Sequence, residues 1–304
     1  MFTGTPEIDG FAFTACPLDR SDVLRDRPDD MAALWPAARL LVLDEAGDAL
    51  CGEDGAPLPL TGADLGGGGP GTAIFLGVEP GGTAWFCVDA VTVNAAAPGR
   101  TGLRQAGTVW PAALAGIFAY ARGMSWWQAR TRYCGVCGGT IEFRRGGFVG
   151  HCAGCGNDHY PRVDPAVIVA ATDGERLLLG RQASWPERRY SVIAGFMEPG
   201  EMPEQTVARE VMEETGVRIL RCRYLAAQPW PFPGALMLGF EARAEPDEPR
   251  VTGELEDARW ATLADIGEAL ARGDADQDAP LRLPPALSIA RSLIGHWYRA
   301  HGGH

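Results

Sequence analysis

Two pairs of cysteines restrict this chain more than any other feature. Cys134 and Cys137 form one C-x-x-C, Cys152 and Cys155 a second, and fourteen residues separate the pairs. Gly135, Gly138, Gly154 and Gly156 stand beside them and permit tight turns. Four thiolates brought together in two such knuckles make the tetrahedral set of a structural zinc. That set has no open position, so the metal would hold backbone together and would not activate water. His151 and His159 flank the knuckles but are not needed as ligands. A rubredoxin-like iron centre or a redox dithiol pair uses similar knuckles and remains the rival reading. Cys16, Cys51, Cys87 and Cys222 are scattered through the chain. A disulfide framework belongs to short secreted chains, so these four are expected as reduced thiols in a cytoplasmic protein.

At 304 residues the chain has room for roughly two domains. Its net charge of −12 disfavours sequence-blind attachment to nucleic acid or anionic membrane, which needs a basic footprint. A small anionic substrate stays possible if cations are brought to it. No apolar run reaches the ~18 residues of a membrane span. The opening "MFTGTPEIDGFAFTAC" lacks the basic start of a signal peptide.

Residues 1 to about 110 read as β-rich. "RLLVL" at 39–43 is a strand, and "TAIFLGV" (72–78) and "TAWFCVDAV" (83–91) flank the hairpin turn "EPGG". "GGGGPG" at 66–71 reads as a loop. In 111–130, Leu114, Ile117, Phe118 and Ala121 give a one-sided helical stripe behind Pro111. Trp126 and Trp127 in the same stretch read as core or interface residues. Two strands at 166–171 and 176–182 follow, joined by "TDGE". Next come "SVIA" at 191–194, a strand–loop–strand through "QPWPFP", and helical patterns at 264–273 and 286–300.

The stretch 195–217, "GFMEPGEMPEQTVAREVMEETGV", holds six glutamates and one arginine. Pro203 suits a first helical turn and Gly216 a helix C-terminus. At ~100° per residue, Glu210, Glu213 and Glu214 fall on one arc. Val207, Ala208, Val211 and Met212 occupy a neighbouring arc that can pack inward. Bare carboxylates at this spacing destabilise a helix by a few tenths of a kcal/mol per pair. A hard divalent cation, magnesium or manganese, turns that repulsion into coordination. The bland alternative is a solvated acidic face.

The whole string decides between these. Gly195, Glu201 and Arg209-Glu210-Val211-Met212-Glu213-Glu214-Thr215-Gly216-Val217 resemble the Nudix box at its defining positions. "QPWPFPGALM" at 228–237, preceded by a four-cysteine ribbon and a β-rich segment, resembles the NADH pyrophosphatase branch of the Nudix hydrolases. "YPRVDPAVI" (160–168) and "ELEDARW" (254–260) also resemble segments of that branch. The resemblance covers about residues 110 to 300 well and the first hundred loosely. It implies an α+β chain: a C-terminal Nudix domain of α/β/α sandwich type (163–304), preceded by a four-cysteine zinc ribbon (129–162) and a β-rich N-terminal domain (1–128).

It also implies roles. Glu210, Glu213, Glu214 and Glu254, with the carbonyl of Ala194, are expected at magnesium or manganese. Glu213 can ligate or act as base, Arg209 orients the carboxylates, and Glu201 supports the loop. Tyr160 and Phe196 are expected to sandwich a base, in the branch from different subunits of a homodimer. Gln228, Pro229, Trp230, Pro231, Phe232, Pro233, Gly234 and Ala235 are expected along the substrate, with Ala290 beside it. Alternation in an extended chain would send Gln228, Trp230 and Phe232 to one side. The branch commonly has serine where this chain has Ala227 and Ala235, which leaves fine specificity open. The implied reaction is cleavage of NADH or NAD⁺ to nicotinamide mononucleotide and AMP, and removal of NAD caps from RNA. ADP-ribose or dinucleoside polyphosphate hydrolysis is one alternative. A zinc-ribbon binding module with an inactive Nudix domain is another.

Overall fold

A computed structural model describes residues 7–65, 71–93 and 97–303. Apart from Gly71, the glycine-rich run at 66–71 lies outside them. Contacts group the chain into two units. One holds Phe13–Val163 with Trp230–Gly234; the other holds Met1–Ala12, Asp164–Pro229 and Ala235–His304.

In the first unit, helix α1 (Pro28–Leu34) precedes strands β1 (Arg39–Leu43), β2 (Ala49–Cys51), β3 (Ile74–Val78) and β4 (Ala84–Asp89). A short helix α2 (Ala90–Val93) and strand β5 (Gly99–Thr101) follow. The five strands form one sheet in the order β3-β4-β1-β2-β5. β3 and β4 are the expected antiparallel hairpin, closed by Gly82 N–H donating to the Glu79 carbonyl at 2.8 Å. Leu40, Val42, Phe75 and Phe86 fill the core on this sheet. Helices α3 (Leu103–Val109) and α4 (Ala112–Arg130) come next. Ile117, Phe118 and Ala121 of α4 are buried, as the stripe requires. Trp127 is buried edge-on against Phe143 at 5.4 Å, and Arg130 lies over Trp126 at 4.5 Å. Strands β6 (Ile141–Arg144), β7 (Val149–Cys152) and β8 (Asp158–His159) form a separate small sheet.

The second unit is layered around a six-stranded sheet. Its strands are β9 (Asp164–Thr172), β10 (Arg176–Arg181), β11 (Ile193–Phe196), β12 (Ile219–Trp230), β13 (Ala235–Ala244) and β14 (Asp257–Thr262). The order is β12-β13-β9-β10-β14, and β11 pairs antiparallel with the first part of β9. β9 reads "DPAVIVAAT" and is buried from Ala166 to Ala171, because both of its faces are covered. Helix α5 (Pro203–Thr215) packs Val207 and Val211 on one face, against Val167, Val169 and Phe240. Helices α6 (Leu263–Arg272) and α7 (Ile289–Ala300) pack Ile266, Leu293 and Trp297 on the other, against Ile168 and Ala170. Helix, sheet and helices therefore make the expected α/β/α sandwich.

The segment Glu7–Ala12 belongs to this second unit. Ile8 is 4 % exposed within its core, Glu7 N–H donates to the Leu225 carbonyl at 3.3 Å, and Ala12 N–H donates to the Leu287 carbonyl at 3.0 Å.

Candidate active site

The acidic helix α5 begins and ends where its residues dictate. Pro203 opens it, and Gln205 Oε1 accepts from the Met202 N–H at 2.8 Å, satisfying one orphan donor. Gly216 ends it at φ 70°, where a residue without Cβ is at ease, and its N–H returns to the Met212 carbonyl at 2.8 Å. The expected inward arc is corrected at one position. Met212 is 41 % exposed, because ~100° of turn beyond Val211 carries it past the packed face.

The carboxylates on this helix are not equivalent. Glu210 is 8 % and Glu214 5 % exposed, whereas Glu213 and Glu254 are exposed. Burial pushes the Glu214 carboxyl up to about 8, and the nearby charges of Glu254 and Glu210 push the same way. Glu210 is also raised, first by burial and partly offset by Arg209. Two buried acids with a third close by are costly for a fold to keep charged without a cation.

Backbone and arginine fix these groups. β11 pairs Ala194 with Ile168 and Gly195 with Val167, which sets a strand beside α5. The Glu210 carboxylate lies so close to Gly195 that an added Cβ would stand 1.9 Å from its Cδ. Only glycine leaves room there. Arg209 donates from Nε to Glu201 Oε1 at 2.7 Å and from Nη1 to Glu210 Oε1 at 2.9 Å and Glu213 Oε2 at 3.0 Å. Its Nη2 donates to the Phe196 carbonyl at 2.9 Å and to Glu201 Oε2 at 3.0 Å. One guanidinium thus spans three carboxylates and the end of β11. Glu201 accepts in addition from the Glu198 N–H at 3.0 Å and the Thr206 hydroxyl at 2.9 Å. These bonds, Arg209 foremost, hold its carboxyl down to about 2. Thr206 is fully buried, and its service to Glu201 could not be read from the sequence.

Hard oxygen donors of this kind suit magnesium or manganese. Glu210, Glu214 and Glu254, with Glu213 and the Ala194 carbonyl, are the groups that could hold such an ion. Glu214, buried and with no cationic side chain acting on it, and the glycine cradle at 195 fit that use.

The four cysteines fit zinc. Their sulfurs all lie within 4.8 Å of one another, with Cys134–Cys155 at 3.6 Å and Cys137–Cys152 at 3.4 Å. A disulfide needs about 2.05 Å. The edge of a zinc–thiolate tetrahedron is roughly 3.8 Å for ~2.3 Å bonds. Each knuckle closes alike: Gly138 N–H donates to the Cys134 carbonyl at 2.9 Å and Gly156 N–H to the Cys152 carbonyl at 2.8 Å. Those glycines have φ of 75° and 76°. The N–H groups of Cys137 and Val136, then the His159 ring, draw the Cys134 thiol down to about 6, toward the thiolate that binds metal. His159 Nε2 stands 3.3 Å from Cys134 Sγ, and His151 Nδ1 pairs with Asp158 at 2.7 Å. Both histidines therefore act outside the four-sulfur set. Cys16, Cys51, Cys87 and Cys222 are all free.

The loop residues divide. Gln228 is wholly buried, its Nε2 donating to the Leu287 carbonyl at 2.8 Å and the Ala12 carbonyl at 3.1 Å. Its Oε1 accepts from the Ile289 N–H at 2.8 Å. The side chain is spent inside the fold and does not stand on a common wall with its alternates. Trp230 and Phe232 are half-buried with ring centroids 4.9 Å apart, both against Phe13 and under Arg104. Pro231 is buried, Pro229 and Pro233 are exposed, and Gly234 and Ala235 are half-buried. Ala290 is 3 % exposed in the core at the start of α7. Tyr160 and Phe196 are 64 % and 59 % exposed, so each ring face is open.

Family models agree with this geometry. Residues 161–283 match the NUDIX domain and residues 129–160 the NADH pyrophosphatase zinc ribbon domain. A Mycobacterium bovis protein named NAD-capped RNA hydrolase NudC is 37% identical over 288 residues, covering 92% of both chains. This chain is a NudC-type Nudix hydrolase, of the NADH pyrophosphatase branch. A Mycobacterium tuberculosis protein of the same name matches equally, at 37% over 288 residues and 92% of both chains. The human NAD-capped RNA hydrolase NUDT12 is 41% identical over 196 residues, 61% of this chain and 42% of its own.

Proposed function

We propose that this NudC-type chain hydrolyses the pyrophosphate of NADH and NAD⁺ to nicotinamide mononucleotide and AMP, and removes NAD caps from RNA 5′ ends. The observation that carries the reading is buried Glu210 and Glu214 on the helix beside β11, with Glu254 near enough to raise Glu214 and with Arg209 holding Glu210, in a chain whose relatives are named NAD-capped RNA hydrolase. Magnesium or manganese held there would neutralise phosphate oxygens and acidify a water.

The chain's own residues do the rest. Arg209 fixes Glu210 and Glu213 relative to the Phe196 carbonyl, so the carboxylates cannot splay apart. Glu213, exposed and tethered, is the acceptor for the proton that the attacking water gives up, or a further ligand oxygen. Tyr160 and Phe196 offer open ring faces for stacking on a base, with a homodimer as the working assembly. Trp230 and Phe232 with Arg104 are the firm floor of the specificity loop. If the serine common in this branch bonds substrate, Ala235 forgoes a hydrogen bond worth about 1 kcal/mol. The net charge of −12 confines RNA recognition to the cap and first nucleotides. Reduced thiols support a cytoplasmic site of action, and no described helix is long and apolar enough to cross a membrane.

The test is product analysis by chromatography with NADH, NAD⁺, ADP-ribose and NAD-capped RNA, with and without manganese. Expected are mononucleotide products from the dinucleotides and the capped RNA, preferred over ADP-ribose and abolished in Glu214→Gln. Intact dinucleotides at ample manganese would overturn the proposal.

A further inference from the structure

The second unit carries a cationic cavity that the hydrolytic site does not use. It measures about 530 Å³ and is lined by Arg221, Arg223, Arg243, His296, Trp297 and His301 among others. It lies toward Thr172 and Gly174, at the end of β9 away from the Ala166–Val169 stretch that pairs with β11. α7 borders it, and α7 and α5 pack different core clusters. It is therefore a place apart from the glutamates.

Three arginines meet there on the neighbouring strands β12 and β13. Arg223 is neutralised by Glu7 and by Glu241, which also faces His296 at 3.5 Å. Arg221 and Arg243 have no ion-pair partner among the described residues. Arg243 is nonetheless placed. A Cβ on Gly174, at φ 100°, would lie 1.8 Å from Arg243 Nη1, so the guanidinium rests on that glycine turn. Trp297 is 4 % exposed, and its indole Nε1 is buried with no hydrogen-bond partner. His301 stacks on the indole at 4.7 Å, with Nδ1 donating to the Trp297 carbonyl at 2.8 Å, which leaves Nε2 uncommitted.

Two guanidiniums without an ion-pair partner among the described residues, and the uncommitted Nε2 of His301, stand around one cavity. We propose that this cavity is a second site, which binds the phosphate of a small phosphorylated molecule. Phosphate oxygens match the arginine fork and accept from an imidazole N–H. The cavity volume falls in the range of small-ligand pockets. A polynucleotide is the weaker occupant, because the net charge of −12 repels an extended polyanion.

The experiment uses the zinc-loaded full chain without added magnesium or manganese, labelled with ¹⁵N in its tryptophan indoles. Trp297→Phe assigns the Trp297 indole resonance. Inorganic phosphate is titrated at ionic strength held constant with chloride. A saturable shift of the Trp297 indole is expected, weakened at least tenfold in Arg221→Gln/Arg243→Gln and to a lesser degree in Arg221→Gln alone. The double variant should melt as the parent does and hydrolyse NADH at the parent rate. A Trp297 resonance that stays still, an equal shift with chloride alone, or equal phosphate affinity in the double variant overturns the proposal. An uncapped oligoribonucleotide is the second arm. If it alone moves the resonance, the occupant is RNA backbone and the small-molecule assignment falls.

Discussion

Replacing Gly195 by alanine adds one carbon, and the structure says where that carbon goes. It would lie 1.9 Å from Glu210 Cδ and 2.1 and 2.2 Å from the two carboxylate oxygens. Comfortable contact begins at about 3.5 Å, so the carboxylate must retreat by roughly 1.5 Å. Gly195 sits in a regular strand pairing and is not among the residues of positive φ, so alanine suits its backbone. The injury is thus confined to the position of the Glu210 carboxylate, a proposed metal ligand. Misplacement by about 1 Å is enough to cost ~100-fold in rate. That corresponds to about 2.7 kcal/mol of transition-state stabilisation. The assay is kcat/KM for NADH at saturating manganese, with thermal melting alongside. The expected result is a fall of about 100-fold with the melting temperature nearly kept. An alanine variant within a few-fold of the parent would refute the claim that Glu210 works from its seat on Gly195.

Other outcomes follow from the same geometry. With no divalent ion, folded Glu214 titrates at about 8 against 4.5 for an ordinary glutamate, so the folded state binds the extra proton between those values. Its stabilising contribution is complete below pH 4.5 and is lost as pH rises through 8. Melting temperature against pH, without added magnesium or manganese, should decline across that window and flatten in Glu214→Gln; equal slopes would contradict this. Gln228→Leu strands the Ile289 N–H and the Ala12 carbonyl, at about 1–3 kcal/mol for each group left unpaired, while the Leu287 carbonyl keeps the Ala12 N–H. Melting should drop while KM for NADH holds, and a raised KM with unchanged melting would return Gln228 to the substrate. Metal analysis should find one zinc per chain, and Cys152→Ser should lose it with a lowered melting temperature; full zinc content in that variant would remove Cys152 from the ligand set.

What could be read in advance divides by the distance along the chain. The knuckles and α5 are local: Pro203, Gly216 and the glutamate spacing act within a few residues, and each took its expected place. The α/β/α layering came from the resemblance to the Nudix box, while the residue pattern alone gave strands and helices in alternation. Gln228 was not legible. Its role depends on Ala12 and Leu287, which lie 216 and 59 residues away. Alternation places Gln228 on a side of the strand, but not what that side meets. Met212 shows the narrower limit, in which the width of an apolar arc is set by the surface it packs on. The cationic cavity gave no local signal either, since its arginines come from β12 and β13 while Trp297 and His301 come from the last helix and the turn after it.

The hold of Glu7–Ala12 on the second unit bears on how the molecule can be taken apart. Ile8 plugs the apolar layer beneath α7, and the Ala12 carbonyl is one of the anchors of Gln228. A catalytic fragment cut from residue 163 onward would carry an open socket and a loosened β12. Restored as a separate peptide, the missing strip should dock and tighten that fragment, turning Glu7–Ala12 into a detachable clasp for the hydrolytic half.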